Sequence, residues 1–284
     1  MQAVRVFGLA KLQSSFSRRV SSLVEVKYET IAGKRAQYNV AVVQLNNPPV
    51  NSLSRSLLSD LNVTLKNISS SDHHIHGLVI ASNVKNSFSA GLQLEELVNT
   101  DRNKLSQYWS LIQDCWHTLF TSQIPTVAAI DGHCLAGGVI IAVATDYRIA
   151  SNGDFGIGVT AARIGVIAPP LFQDNIKHII GSRQTELMLL QGKVFTPDEA
   201  LKIGLIDEVH CSNEDIISYA CRSLIPFMET DVRARTNMKL SLRSKIIQKM
   251  ELEREEHNEA FADFMLSPPV QEKLVSFIKT LKKQ

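Results

Sequence analysis

The sequence predicts an α/β fold, a core of buried strands wrapped by helices and followed by a helical C-terminal region. Three observations carry this. Short apolar runs such as "YNVAVVQL", "GLVIAS" and "TVAAI" are near-continuous, as strands covered on both faces require. Strand, loop and helical stretch recur in that order, the alternation from which α/β cores are built. Beyond about Arg183 strand signals thin out and helical spacing dominates. With no Gly/Ser linker and no low-complexity stretch, the C-terminal helices read as an attached subdomain. The expected organisation is a leader over 1–22, a core over 23–212 and a helical region over 213–284.

The elements follow in order. "LVEVKYET" and "YNVAVVQL" are strands joined near the turn signal "AGK". "NNPPVNSLS" stops the second, because proline cannot extend a ladder. Ser54 is the expected N-cap of a helix whose apolar stripe is Leu57, Leu58, Leu61 and Leu65. Next come strand "GLVIAS", loop "NVKNSFSAG", and helical stretches through "LEELV" and "LSQYWSLIQDCWHTLF". Trp109 and Trp116, seven apart on that helix, are packing residues. Strand "TVAAI", loop "DGHCLAGG", apolar helix "VIIAVAT" and strand "YRIAS" repeat the pattern. "TPDEALKIGL" opens with threonine at the cap and proline at the first helical position. Strand "IDEVH" then leads into the helices. "KMELEREEHNEAF", rich in glutamate, reads as a solvated helix face or a subunit contact.

Composition narrows the function. At 284 residues and 44% hydrophobic content, the chain can bury a full core. It has no run of ~18 apolar residues to span a membrane. The formal charge of +2 gives no electrostatic case for nucleic acid. Cys115, Cys134, Cys211 and Cys221 have neither CxxC nor zinc spacing, so reduced thiols are expected and no metal. "DHHIH", Asp72 to His76, reads as a solvated turn entering a strand rather than a metal site. The first 22 residues carry Arg5, Lys11, Arg18 and Arg19 with several serines and no acid, a mitochondrial transit-peptide composition. Those four cations exceed the whole chain's formal charge, so the remainder is net acidic.

Two loops carry the chemical reading. "SFSAGLQL" sets Ser89, Ala90 and Gly91 between a strand and a helix, and "DGHCLAGG" sets Gly137 and Gly138 at a helix start. Small residues let a ligand reach the backbone, and N–H groups at a helix start lack intrahelical acceptors. Two such donors aimed at one oxygen would stabilise negative charge there; tight glycine packing is the structural alternative. Neither loop fits a phosphate-binding fingerprint.

Taken together, "NPPVNSLS", "FSAGLQLEEL", "AAIDGHCLAGGVIIAVATDYRIAS", "IGVIAPP" and "GKVFTPDEALKIGLIDEV" resemble, in that order, the crotonase (enoyl-CoA hydratase/isomerase) superfamily. The likeness is greatest to its mitochondrial Δ3,Δ2-enoyl-CoA isomerases, from about Val24 onward. The resemblance implies a spiral of ββα units with a C-terminal helical region that assembles homotrimers in the mitochondrial matrix. It implies no cofactor beyond a coenzyme A thioester as substrate or ligand. It assigns oxyanion donors to the N–H groups of Leu92 and Gly137. Ala90, Gly91, Leu92, Gln93 and Leu94 would lie along the acyl-CoA, and Thr160 would stand beside the catalytic position.

At the two acid positions the pattern breaks. The family hydratases' first glutamate falls on Ile140, which rules against hydration and agrees with the isomerases. The isomerases' single base falls on Ala161, so no catalytic acid is intact there. Between Glu96 and Glu186 the acids are Asp101, Asp114, Asp131, Asp146, Asp154 and Asp174, and His133 is the imidazole of the second glycine loop. Three readings remain open. They are a 3-enoyl-CoA to 2-trans-enoyl-CoA isomerase of fatty-acid β-oxidation with a displaced base, a non-catalytic acyl-CoA-binding protein, and another enolate-stabilising reaction such as thioester decarboxylation.

Overall fold

The computed structural model describes residues 23–34, 36–70 and 74–282. The leader, and Asp72 and His73 of the histidine-rich turn, lie outside them. Strands β1 (Val24–Ala32) and β2 (Gln37–Leu45) form an antiparallel pair. The chain then passes through β3 (Ser52–Leu53) into α1 (Arg55–Ser69). The Ser54 side chain accepts from the Leu57 N–H, so the expected cap is present. β4 (Ile75–Ser82), β5 (Ser87–Ser89) and β6 (Gly91–Leu92) follow. "LEELV" forms only a single 3₁₀ turn, Leu94–Leu97, before α2 (Arg102–Phe120). β7 (Thr126–Ile130), β8 (His133–Leu135), α3 (Gly137–Ala144) and β9 (Tyr147–Ser151) complete the next unit.

β10 (Ile157–Gly158) leads to a second 3₁₀ turn, Ala161–Ile164, and then to α4 (Pro170–Gln191), which breaks at Gly181. After β11 (Val194–Phe195), helix α5 (Pro197–Lys202) starts on a full capping box between Thr196 and Glu199. β12 (Glu208–His210) and helices α6 (Ile216–Ser223), α7 (Ile225–Met228), α8 (Val232–Leu252), α9 (Arg254–Leu266) and α10 (Pro268–Leu281) end the chain.

The main sheet has six strands in the order β1-β2-β4-β7-β9-β12, parallel except for the β1–β2 hairpin. Its apolar strands are buried on both faces, as their continuity predicts. Val43, Ile80 and Ala128 face the large core under α1, α2 and α3. Their neighbours Val42, Val79 and Val127 face a smaller core with Ile216, Ala220 and Leu224 of the α6 region. A second sheet, β11-β10-β8-β5, stands beside it, and β3 pairs with β6. Trp109 stacks on Phe261 at 4.6 Å and Trp116 on Phe120 at 4.5 Å, so both tryptophans do pack.

Candidate functional site

The two glycine loops meet. A Cβ on Gly91 would lie 2.9 Å from the Gly137 nitrogen and 2.8 Å from the Ala136 Cβ. A Cβ on Gly138 would lie 2.7 Å from the Ser89 carbonyl oxygen. The start of α3 therefore rests directly on the "SAG" segment, and only glycine permits that approach. Gly91 also has φ +93°, and Ala136, the residue before α3, has φ 47° and ψ −111°. A side-chain-bearing residue held in that region stores backbone strain, which the surrounding contacts must offset. Here the Ala136 N–H donates to the Gly158 carbonyl at 2.8 Å, locking the loop to β10.

The first loop is braced from below. The Asn51 side chain accepts from the Asn47 N–H at 2.7 Å and donates to Ser82 Oγ at 2.7 Å and the Phe88 carbonyl at 3.1 Å. Ser89 Oγ donates to the Asn51 carbonyl at 2.7 Å and accepts from the Gly91 N–H. The buried Tyr108 hydroxyl accepts from the Gln93 N–H and donates to the Leu53 carbonyl, tying α2 to β3 and to the chain just past β6. Burial pushes this phenol well above its ordinary range, so it stays neutral and serves as a hydrogen-bonding group.

Above the loops lies a cavity of about 610 Å³. Ala90, Leu92, Gln93, Leu94, Gly137, Thr160 and Ala161 all line it, so residues far apart in sequence are brought together. Gly91 lies beneath its floor, packed on Gly137. Ile140 is fully buried in the core and outside the cavity wall. Four lining residues that no sequence motif points to come from the C-terminal helices: Phe261 and Met265 of α9, Phe277 and Leu281 of α10. Helix amphipathicity signals an apolar face there but does not say against what it packs, and Leu281 at the end of α10 stays 48% exposed.

The acids are distributed elsewhere. Asp101 caps α2. Asp114 pairs with Arg254, and Asp131 accepts from Ser151. Asp146 holds Lys239 and Arg243, and Asp174 pairs with Lys249 at 2.7 Å. Neither Asp154 nor His133 lines the cavity; the His133 ring instead accepts from the Gly156 N–H. Among the described residues, the only ionisable side chain in the lining is Glu95, exposed and hydrogen-bonded by the Gln93 amide at 2.8 Å. Its neighbour Glu96 is taken up by Arg55 at 2.7 Å. Glu95 lies just before the Glu96-to-Glu186 stretch that holds the six aspartates. Among the described residues, no group of three His, Cys, Asp or Glu gathers as metal ligands.

Over residues 35–284 the sequence matches the family described as Enoyl-CoA hydratase/isomerase. It is 33% identical over 246 residues to Enoyl-CoA delta isomerase 1, mitochondrial, of Homo sapiens, covering 86% of this chain and 81% of that one. The Mus musculus protein of the same name is 34% identical, over 86% of this chain and 84% of its own. Among solved structures, human mitochondrial delta3-delta2-enoyl-CoA isomerase superposes with a TM-score of 0.84 at 32% identity, covering 91% of this chain and 98% of that one. Enoyl-CoA hydratase from Bacillus halodurans superposes at 0.75 with 25% identity, over 88% and 99%.

Proposed function

The chain belongs to the enoyl-CoA hydratase/isomerase family, and from that premise we propose that its cavity binds an enoyl-CoA or acyl-CoA thioester and polarises it without a dedicated base. The thioester carbonyl accepts from the N–H groups of Leu92 and Gly137, with Ala90 to Leu94 along the ligand. The approach of Gly91 to Gly137 supports this, because it places the two N–H-bearing segments side by side at one cavity floor. Donors fixed in place before charge develops stabilise an enolate oxygen without reorganisation.

Isomerisation moves a proton from the carbon alpha to the thioester to the gamma carbon, which needs a group that both takes and returns it. The single observation that carries the reading is the methyl group of Ala161 in a wall whose only ionisable member, among the described residues, is the exposed Glu95. General acid–base help is worth about 100-fold to 10,000-fold. We therefore expect wild-type isomerisation of a short 3-enoyl-CoA to be slow, and Ala161→Glu to raise kcat at least about 100-fold. A coupled assay that follows 2-trans-enoyl-CoA checks this, and a fast wild type unaffected by Ala161→Glu would overturn it. The second reading, an isomerase with a displaced base, is favoured by the likeness to delta isomerases and by Glu95; in that case Glu95→Gln abolishes turnover.

The relatives' mitochondrial names support a matrix location. A homotrimer is supported by α8, of whose 21 residues only Met250 is buried in the single chain.

A further inference from the structure

On the far side of the Ala161 wall lies a second cavity of about 600 Å³. It shares Val159, Ala161, Val166, Ile167 and Ala168 with the first. The partition between them is therefore the one segment that carries the 3₁₀ turn Ala161–Ile164, and no residue of that turn is buried. Its backbone is fixed: the Arg163 N–H donates to the Thr160 carbonyl at 2.9 Å, and the Val166 N–H to the Ala161 carbonyl at 2.9 Å. With the backbone held, side-chain size at 161 decides how closed the partition is, and alanine leaves the least in the way of any residue with a Cβ.

Beyond the wall the second cavity is apolar where it adjoins the first, and Leu189 and Phe264 are among its other lining residues. Gln173, Asp174, Lys177, Ser182, Thr185 and Glu186 make up its polar side, with Asp174 compensated by Lys249 and Glu186 by Arg183. The apolar side, next to the first cavity, suits a chain of methylenes, which needs contact area and no polar partner.

We propose that Ala161 is a port, and that a long acyl chain whose thioester is held at Leu92 and Gly137 passes it into the second cavity. The inference rests on the thioester reading above. It makes the loss of the acid at 161 a gain in chain-length capacity, and the ligand class long-chain acyl-CoA.

The test is calorimetric titration with saturated acyl-CoA esters from butanoyl to hexadecanoyl, below their micelle-forming concentrations. Each methylene that enters an apolar cavity raises affinity roughly threefold to fourfold, so wild-type affinity should keep climbing along the series. Ala161→Leu narrows the port from the shared wall, and Leu189→Trp fills the second cavity from α4. Both variants should level off along the series, with hexadecanoyl-CoA affinity about tenfold or more below that of the wild type, and Leu189→Trp, which lies outside the thioester cavity, should bind butanoyl-CoA as the wild type does. If both keep the wild-type slope, or the wild type itself levels off at short chains, the port is refuted while the thioester reading stands. If the wild type binds no ester of any length, both fall.

Discussion

Gly91 is where residue-scale constraints converge. Its φ of +93° is unfavourable for any residue with a Cβ, and that Cβ would collide with Ala136 and the Gly137 nitrogen. We expect Gly91→Ala to cost about 2–3 kcal/mol of stability and to spread the two loops. Urea unfolding read beside acyl-CoA affinity checks this. Affinity should fall in the fraction that remains folded, whereas an unchanged affinity would show that the loop contact does not build the site. Both glycine loops were legible as sequence because their short, small-residue pattern is local. Glu95 was not, because its place in the cavity wall follows from the 3₁₀ turn that begins at Leu94.

Among the elements, α10 closes the cavity and its attachment is specific. Gln271 Nε2 donates to the Leu97 carbonyl at 2.9 Å and the Met265 carbonyl at 2.6 Å, pinning α10 to the 3₁₀ turn of the first loop and to the end of α9. Gln271→Ala should cost about 1–2 kcal/mol through those two carbonyls. It should also weaken acyl-CoA binding by loosening Phe277 and Leu281. A variant that loses stability but keeps full affinity would show that α10 is a strut and not part of the site. The strands and α1 were readable because apolar continuity, a serine cap and leucine spacing are all written within one element. Strand β8 hid inside the loop "DGHCLAGG", since three residues paired to distant β5 and β10 leave no periodic trace.

The whole molecule is held across its length by a charged cluster around Asp146. Lys239 and Arg243 reach it from α8 at 2.8 and 3.0 Å, and all three side chains are nearly buried. Burial, reinforced by the neighbouring Arg243 and Arg235, pushes the Lys239 amine down to about 8 despite the attraction of Asp146. The folded chain thus releases a proton that the unfolded chain keeps up to about pH 10, so this group's contribution to stability rises as pH climbs through that window. Lys239→Met should flatten that slope. Wild type minus variant is expected to grow by on the order of 2–3 kcal/mol between about pH 7 and about pH 10, measured by denaturant unfolding. Parallel profiles would refute it. Beside Lys239 and Arg243, α8 exposes Met238 and Leu242, the latter 78% accessible. If the proposed homotrimer is joined through that face, Leu242→Glu should shift sedimentation toward monomer, and an unchanged sedimentation profile would place the contact elsewhere.

Local patterning along the chain was enough for the strand–helix alternation, the strands buried on both faces, the two glycine loops and the absence of an acid at position 161. Each is set by composition and spacing within a few tens of residues. It took the folded chain to bring the loops into contact, to keep the six aspartates between Glu96 and Glu186 out of the first cavity's wall, and to bring the last two helices into that wall. Those facts depend on which distant surfaces meet when apolar faces are buried, and spacing along a chain does not record that.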